Sequence, residues 1–165
     1  NVSQYISMLD AHCLSFMAFN EEEYEGKDAE IYERFHLLET AHYKIKLMLS
    51  NENQFFQEFC TILGDSLSVA NRARIDNSFA ECISNGLRDP DGFLSAYKKM
   101  LERKEDLTGV VPASDAIDAA KKYRDTHIRQ FLLEAEDLLS FRERLVSITQ
   151  KYLSCERERV LEGKR

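Results

Sequence analysis

Proline and glycine are scarce in this chain, two and six respectively among 165 residues. So few breakers build few turns, which is the condition of a helical protein. Long apolar runs are missing too. None approaches the roughly 18 residues that a membrane-crossing helix needs, so no membrane span is expected. Basic excess is absent: the formal net charge is −7. Neutralising phosphates requires a basic face, so nucleic acid is not an expected partner. Paired cysteines are absent as well. Cys13, Cys60, Cys82 and Cys155 lie far apart with no Cys-x-x-Cys. A secreted chain held by disulfides would carry a denser framework, so the four are read as buried free thiols in a reducing compartment, the cytoplasm. The opening residues NVSQYISMLDAHC show no basic stretch followed by an apolar one, so no signal peptide is expected. They begin with Asn rather than Met, as a piece of a longer chain would, and the Asn1-Val2-Ser3 sequon is read as accidental.

What is present is an ordinary globular composition, 44% hydrophobic and 31% charged, in a length suited to one domain with a sizeable core. Val2, Ile6, Leu9, Cys13 and Phe16 step by 4, 3, 4 and 3, the apolar stripe of a first helix. The acidic stretch around Glu21-Glu22-Glu23 interrupts it, as a solvated loop or a guide for a basic partner. Ile31, Phe35, Leu38, His42, Ile45 and Leu49 then predict a second helix. Ser50 and Asn51 stop it and cap a third, which ends at Gly64. A fourth is expected from a cap at Ser66 or Ser68 to Asn85-Gly86, and a fifth from Asp89-Pro90, an N-cap acid before a proline at the first helical position. The stretch from Leu107 to Ala113 is the longest break. Ser114 opens a run of nearly fifty residues, read either as one helix, unusual in a small domain, or as two meeting near Glu136. The second reading is favoured, with Asp137 capping a helix that carries Leu138, Phe141, Leu145, Ile148, Tyr152 and Cys155. Residues 156–165 read as a solvated helical tail. The expectation is one all-α domain over residues 1–165, a bundle of six or seven helices.

Catalytic devices are thin. Glu39 and His42 have the Glu-x-x-His spacing of di-iron bundles, but the second such pair is missing, because Arg124 stands where His127 would need its glutamate. His12, His36 and His127 pair with no cysteine at ligand spacing. There is no nucleophile elbow, phosphate loop or dinucleotide fingerprint. Lys98, Lys99, Arg103 and Lys104 form a small basic face offset by Glu102, Glu105 and Asp106. No enzyme, metal or cofactor is expected.

Two segments stand out instead: NENQFFQEFCTIL at 51–63 and FLLEAEDLLSFRERLV at 131–146. Phe55 and Phe56 point about 100° apart on a helix, so with Phe59 they spread over a wide apolar face that suits a core, or a groove for another helix. In order, HCLSF followed by NEEEYEGKD, then IYERFHLLETAHYKIKLML, NENQFFQEFCTIL and LLEAEDLLSFRERLV resemble the BART-like domain, a family of binders of Arf-like small GTPases that also occurs in a cilia-associated protein. The likeness covers about residues 12–63 and 127–153, and between those blocks this chain carries about sixty additional residues, a helical insertion at 66–126. The resemblance implies a non-catalytic effector. It would bind the GTP form of an Arf-like GTPase by admitting that protein's N-terminal amphipathic helix to a hydrophobic cleft, in the cytoplasm or at the cilium. On the matching segments, Phe55, Phe56, Phe59, Phe131, Leu132, Leu138 and Phe141 would line the cleft and Arg142 its rim. The alternative is a helical interaction module of another family, with a helix-in-groove partner of its own.

Overall fold

A computed structural model describes residues 2–17, 28–104 and 108–163. The Glu21-Glu22-Glu23 run, Glu105, Asp106 and Leu107 lie outside the described residues, as do the side chains of His12, Cys13 and Phe16. The described residues form five helices and no strand: α1 (Val2–Met17), α2 (Asp28–Met48), α3 (Phe56–Leu87), α4 (Pro90–Glu102) and α5 (Ala116–Leu161). The all-α expectation stands, and the count of six or seven helices is corrected to five.

Two mergers account for the difference. The chain passes Gly64 as helix, making α3 32 residues long. Its buried positions, Phe59, Ile62, Leu63, Ser66, Val69, Ala70, Ala73, Asn77 and Ala80, keep helical stepping straight through the glycine. Continuous burial outweighs the roughly 1 kcal/mol that one interior glycine costs. The run after Asp115 likewise stays one helix of 46 residues, because Phe131, Glu134, Ala135, Leu138, Leu145, Ile148 and Tyr152 form one stripe across Asp137. Asp137 remains an exposed interior residue, not a cap.

Capping also differs from expectation in detail. At α4 the Asp89 carboxylate accepts the Gly92 N–H at 3.0 Å, with Pro90 next, as the sequence proposes. Ser114 does not cap α5; Asp115 holds that position without a side-chain bond. Before α3 it is Asn53, not Ser50 or Asn51, that organises the turn, its Oδ1 accepting the Phe55 N–H at 2.9 Å.

Contacts along the chain fix the architecture. Val2 shares a hollow with Ile45, Phe59 and Thr149. Further on, Asp10 pairs with Arg142 at 2.6 Å and Arg34 donates to the Ala11 carbonyl at 2.9 Å. Tyr5 meets Ser66 at 2.9 Å, Arg72 meets Glu134 at 3.0 Å, and Asp76 pairs with His127. As α1 numbers rise, their partners rise on α3 but fall on α2 and α5. The result is an up-down-up-down bundle of α1, α2, α3 and α5 around one core. At 1.5 Å per residue α3 and α5 run about 48 and 69 Å. Past the Asp76–His127 pair they continue together, and α4 folds back on them. The expected insertion at 66–126 is thus the far half of α3, all of α4 and the start of α5, continuous with the bundle.

At the opposite end the α2–α3 turn is clamped to α5. Asn53 Nδ2 donates to the Tyr152 carbonyl at 3.1 Å and to Glu156 at 2.7 Å, while Arg159 binds Glu156 at 2.9 Å and also Glu52. The segment expected as a solvated tail is therefore helical to Leu161, with Glu156 and Arg159 engaged. The thiols need correction too: Cys82 is exposed, and Cys60 and Cys155 are half-buried rather than interior.

Candidate interaction groove

Beyond the waist at Asp76 and His127, the apolar faces of α3 and α5 continue, and among the described residues α4 and Val111 lie over them. That helix has 13 residues and none fully buried. Phe79, Cys82 and Ile83 form one wall, Phe93 and Tyr97 the second, and Ala116, Ala119, Ala120 and Tyr123 the third. The space between them is an open groove of about 400 Å³, within the ~300–1,000 Å³ of typical ligand clefts. Its depth comes from the alanines. Methyl groups on α5 oppose aromatic rings on α3 and α4, and the mismatch in size leaves the gap.

The walls are held in place. The Tyr97 hydroxyl donates to the Val111 carbonyl at 2.8 Å, fastening α4 to the segment that leads into α5. The Phe93 and Tyr97 rings are parallel at 6.4 Å between centroids. At the floor Phe79 stacks on His127 at 5.2 Å, and Tyr123 meets the same imidazole edge-on at 4.5 Å. His127 is oriented by Asp76 through Nδ1, while its Nε2 is buried without a hydrogen-bond partner. Phe79 is nonetheless 49% exposed and Tyr123 55%. Rings this open form the kind of apolar patch that marks an interaction site. The groove offers apolar contact and almost no chemistry. Comparison with family models, with curated proteins and with solved structures gives no match. The groove stands on the geometry of this chain.

The residues singled out in the sequence do not meet in one cleft. Phe59, Phe131 and Leu138 are fully buried members of the bundle core, held by packing on several sides and closed to a visiting helix. Around Phe59 the core opens slightly, to a hollow of about 160 Å³ beside Val2, Met48 and Tyr152. Phe55 is half-buried against the core and borders an open depression with Gln54, Gln150, Lys151 and Glu158. Phe56, at the first turn of α3, is half-buried as well. Phe141 packs partly on the core beneath the Arg144 guanidinium, 4.9 Å from its ring centre, and Arg142 is engaged by Asp10. Leu132, 44% exposed, lies on the outer side of α5.

The histidine candidates are structural in their contacts. Glu39 turns to His36 at 3.1 Å rather than to His42. His42 is buried between α2 and α3, and that burial holds its pKa below the ordinary imidazole value, against a hydrogen bond to the Leu63 backbone. Among the described residues no three His, Cys, Asp or Glu side chains come together as metal ligands, and no helix is long and apolar enough to cross a membrane. The basic residues Lys98, Lys99, Arg103 and Lys104 are exposed at and just beyond the end of α4. Sequence reasoning missed the groove because its deepest residues are alanines. The signal was Ala116, Ala119, Ala120 and Tyr123 at helical spacing, small residues followed by one ring on one face of the helix.

Proposed function

We propose that this chain is a non-catalytic helical interaction module that takes the apolar face of an amphipathic helix into the groove between α3, α4 and α5. The observation that carries this reading is an open apolar groove of about 400 Å³ whose walls include the half-exposed rings of Phe79 and Tyr123. Helices dock in such grooves through anchors spaced three or four residues apart, and the space suits a few large side chains. The N-terminal amphipathic helix of a GTP-loaded Arf-like small GTPase is the partner that the resemblance to the BART-like domain implies. It is the first to try, beside a panel of unrelated amphipathic helices.

Cys82 supplies the assay. It lines the groove and is exposed, whereas Cys155 borders the depression at the opposite end and is half-buried. A helix seated in the groove slows alkylation of Cys82 and leaves Cys155 unchanged, read by peptide mass mapping. Ala119→Trp, which fills the groove from α5, should leave the melting temperature nearly unchanged and weaken binding by about 30-fold or more, the loss of one anchor. Protection by the GTP-locked GTPase and not by the GDP-locked form supports the effector reading. Protection only by other helices keeps the module and removes that partner. If no helix protects Cys82, or if Ala119→Trp binds like wild type, the groove is not the site.

A further inference from the structure

α5 carries two adjacent rows of apolar residues, both repeating every seven. The inner row, Phe131, Leu138, Leu145 and Tyr152, is buried in the bundle. The outer row begins one residue later: Leu132, Leu139, Val146, Leu153 and Val160, each between 38% and 70% exposed. Five apolar residues in strict heptad register extend about 42 Å along one helix. A straight α-helix drifts about 20° per heptad, so the row winds slowly around the helix. Leu153 borders the hollow beside Val2 and Met48, and every member of the row keeps at least 38% of its surface exposed.

We propose that the outer row is a dimer interface at which α5 packs antiparallel against α5 of a second copy of this chain, about a two-fold axis beside Val146. Symmetry of the row selects this occupant. With Val146 on the axis, Leu139 faces the partner's Leu153 and Leu132 faces the partner's Val160, so every layer is apolar on both sides. The flanking charges fit the same arrangement. Glu136, Glu143, Gln150 and Arg157 lie four residues beyond successive members of the row, on one side of it. In an antiparallel pair that flank faces its own copy, which sets Glu136 against the partner's Arg157 and Glu143 against the partner's Gln150. Each contact occurs twice. Glu136 and Arg157 are exposed and form no ion pair within the chain among the described residues. A parallel pair would instead turn this flank toward the partner's opposite flank, so Glu136 and Arg157 would not meet. The interface is separate from the groove at the start of α5, and antiparallel pairing sends the two grooves to opposite ends of the dimer, about 80 Å apart by helix rise.

Sedimentation equilibrium of the full chain over a wide concentration range tests the proposal. Wild type should dimerise. Val146→Asp, which sets two carboxylates face to face on the axis, should be monomeric with an unchanged far-ultraviolet spectrum and melt. Arg157→Glu should weaken association about tenfold, as two attractive contacts become repulsive, and adding Glu136→Arg should restore it. Both are surface positions, so this pair carries the test even if Val146→Asp disturbs folding. Orientation follows from a short thiol cross-linker: Val146→Cys should couple to itself efficiently and Leu139→Cys should not exceed the wild-type background. A monomeric wild type, a charge swap that fails to restore the dimer, or efficient self-coupling of Leu139→Cys would each overturn the proposal.

Discussion

Tyr5 and Ser66 offer a quantitative check on the packing of α1 against α3. The Tyr5 side chain is fully buried and its hydroxyl lies 2.9 Å from Ser66 Oγ. Ser66 itself donates to the Leu63 carbonyl at 2.9 Å, so the Tyr5 O–H is the donor between them. The two partners are not equivalent on removal. Tyr5→Phe leaves Ser66 bonded to Leu63 and should cost about 1 kcal/mol, the net value of one hydrogen bond. Ser66→Ala strands a buried phenol and should cost about 2 kcal/mol, toward the desolvation penalty of an unpaired group. In the Tyr5→Phe background no phenol is stranded, so Ser66→Ala should then be almost neutral. The coupling between the sites is about 1–2 kcal/mol, measurable by urea denaturation followed by circular dichroism.

The same pair makes a pH prediction. Burial pushes the Tyr5 pKa up from 10.0 to about 12, against the opposing effect of the Ser66 bond. The pKa is higher folded than unfolded. The stability held in keeping the phenol neutral is therefore fully present below pH 10 and is lost as pH rises toward 12. A shift of this size corresponds to about 2–3 kcal/mol. The stability difference between wild type and Tyr5→Phe should favour wild type at pH 7 and reverse in sign near pH 12. Strictly additive mutations at pH 7, or a difference independent of pH, would refute the burial of this hydroxyl and with it the seating of α1.

Three other perturbations test the remaining frame. Glu134 is a buried carboxylate whose Oε1 accepts from Arg72 at 3.0 Å while Oε2 has no partner, and burial raises its pKa. Its contribution is full below the unfolded carboxyl range and declines as pH rises through the folded pKa, so Glu134→Gln should gain about 1 kcal/mol over wild type at pH 7 and nothing at pH 4, by thermal melts at each pH. Gly64 lies mid-helix with no atom within 4 Å of an added Cβ, and Gly64→Ala should stabilise by about 0.5–1 kcal/mol in the same assay. A Cβ at Gly92 would fall 2.2 Å from Asp89 Oδ2. Gly92→Ala should therefore cost about 1 kcal/mol by expelling the cap, yet stabilise in an Asp89→Ala background, where no cap remains to expel.

How much of this could be read from sequence depends on what kind of signal each feature leaves. Helices α1, α2 and α4 follow from apolar stepping and from Asp89-Pro90, where pattern and local chemistry agree. Gly64 and Asp137 misled because they are local stop signals inside stripes that never slip, and burial along a continuous stripe outweighs a single weak residue. The cleft assignment met a different obstacle. A ring in a core and a ring in a cleft are written the same way, at the same spacing. Whether Phe131 or Phe79 is covered depends on which helices reach that level of α5, and helix lengths were the part misread. Asn53 shows the converse. It sits two residues from the expected caps, and its importance comes from Tyr152 and Glu156, about a hundred residues away in sequence and adjacent only after folding.

The division of this protein into a sealed half and an open half follows from one imbalance. Around Phe59, Ile62 and Leu63, α3 shares one core with Ile148 and Tyr152 of α5 and with residues of α1 and α2, and the large side chains there are buried. Farther along, α3 turns to Ala73, Asn77 and Ala80 and α5 to Ala116, Ala119 and Ala120, while the cover falls to Val111 and the 13 residues of α4. Small residues bring helices close but fill little space, so Phe79, Phe93 and Tyr123 have ring neighbours and yet stay only partly covered. A bundle optimised only for stability would place leucine at Ala119 or Ala120 and close the gap, since cavity-lining atoms lose contacts that a larger side chain would supply. Alanine at these positions forgoes that stabilisation and leaves the room that the proposed helix would fill.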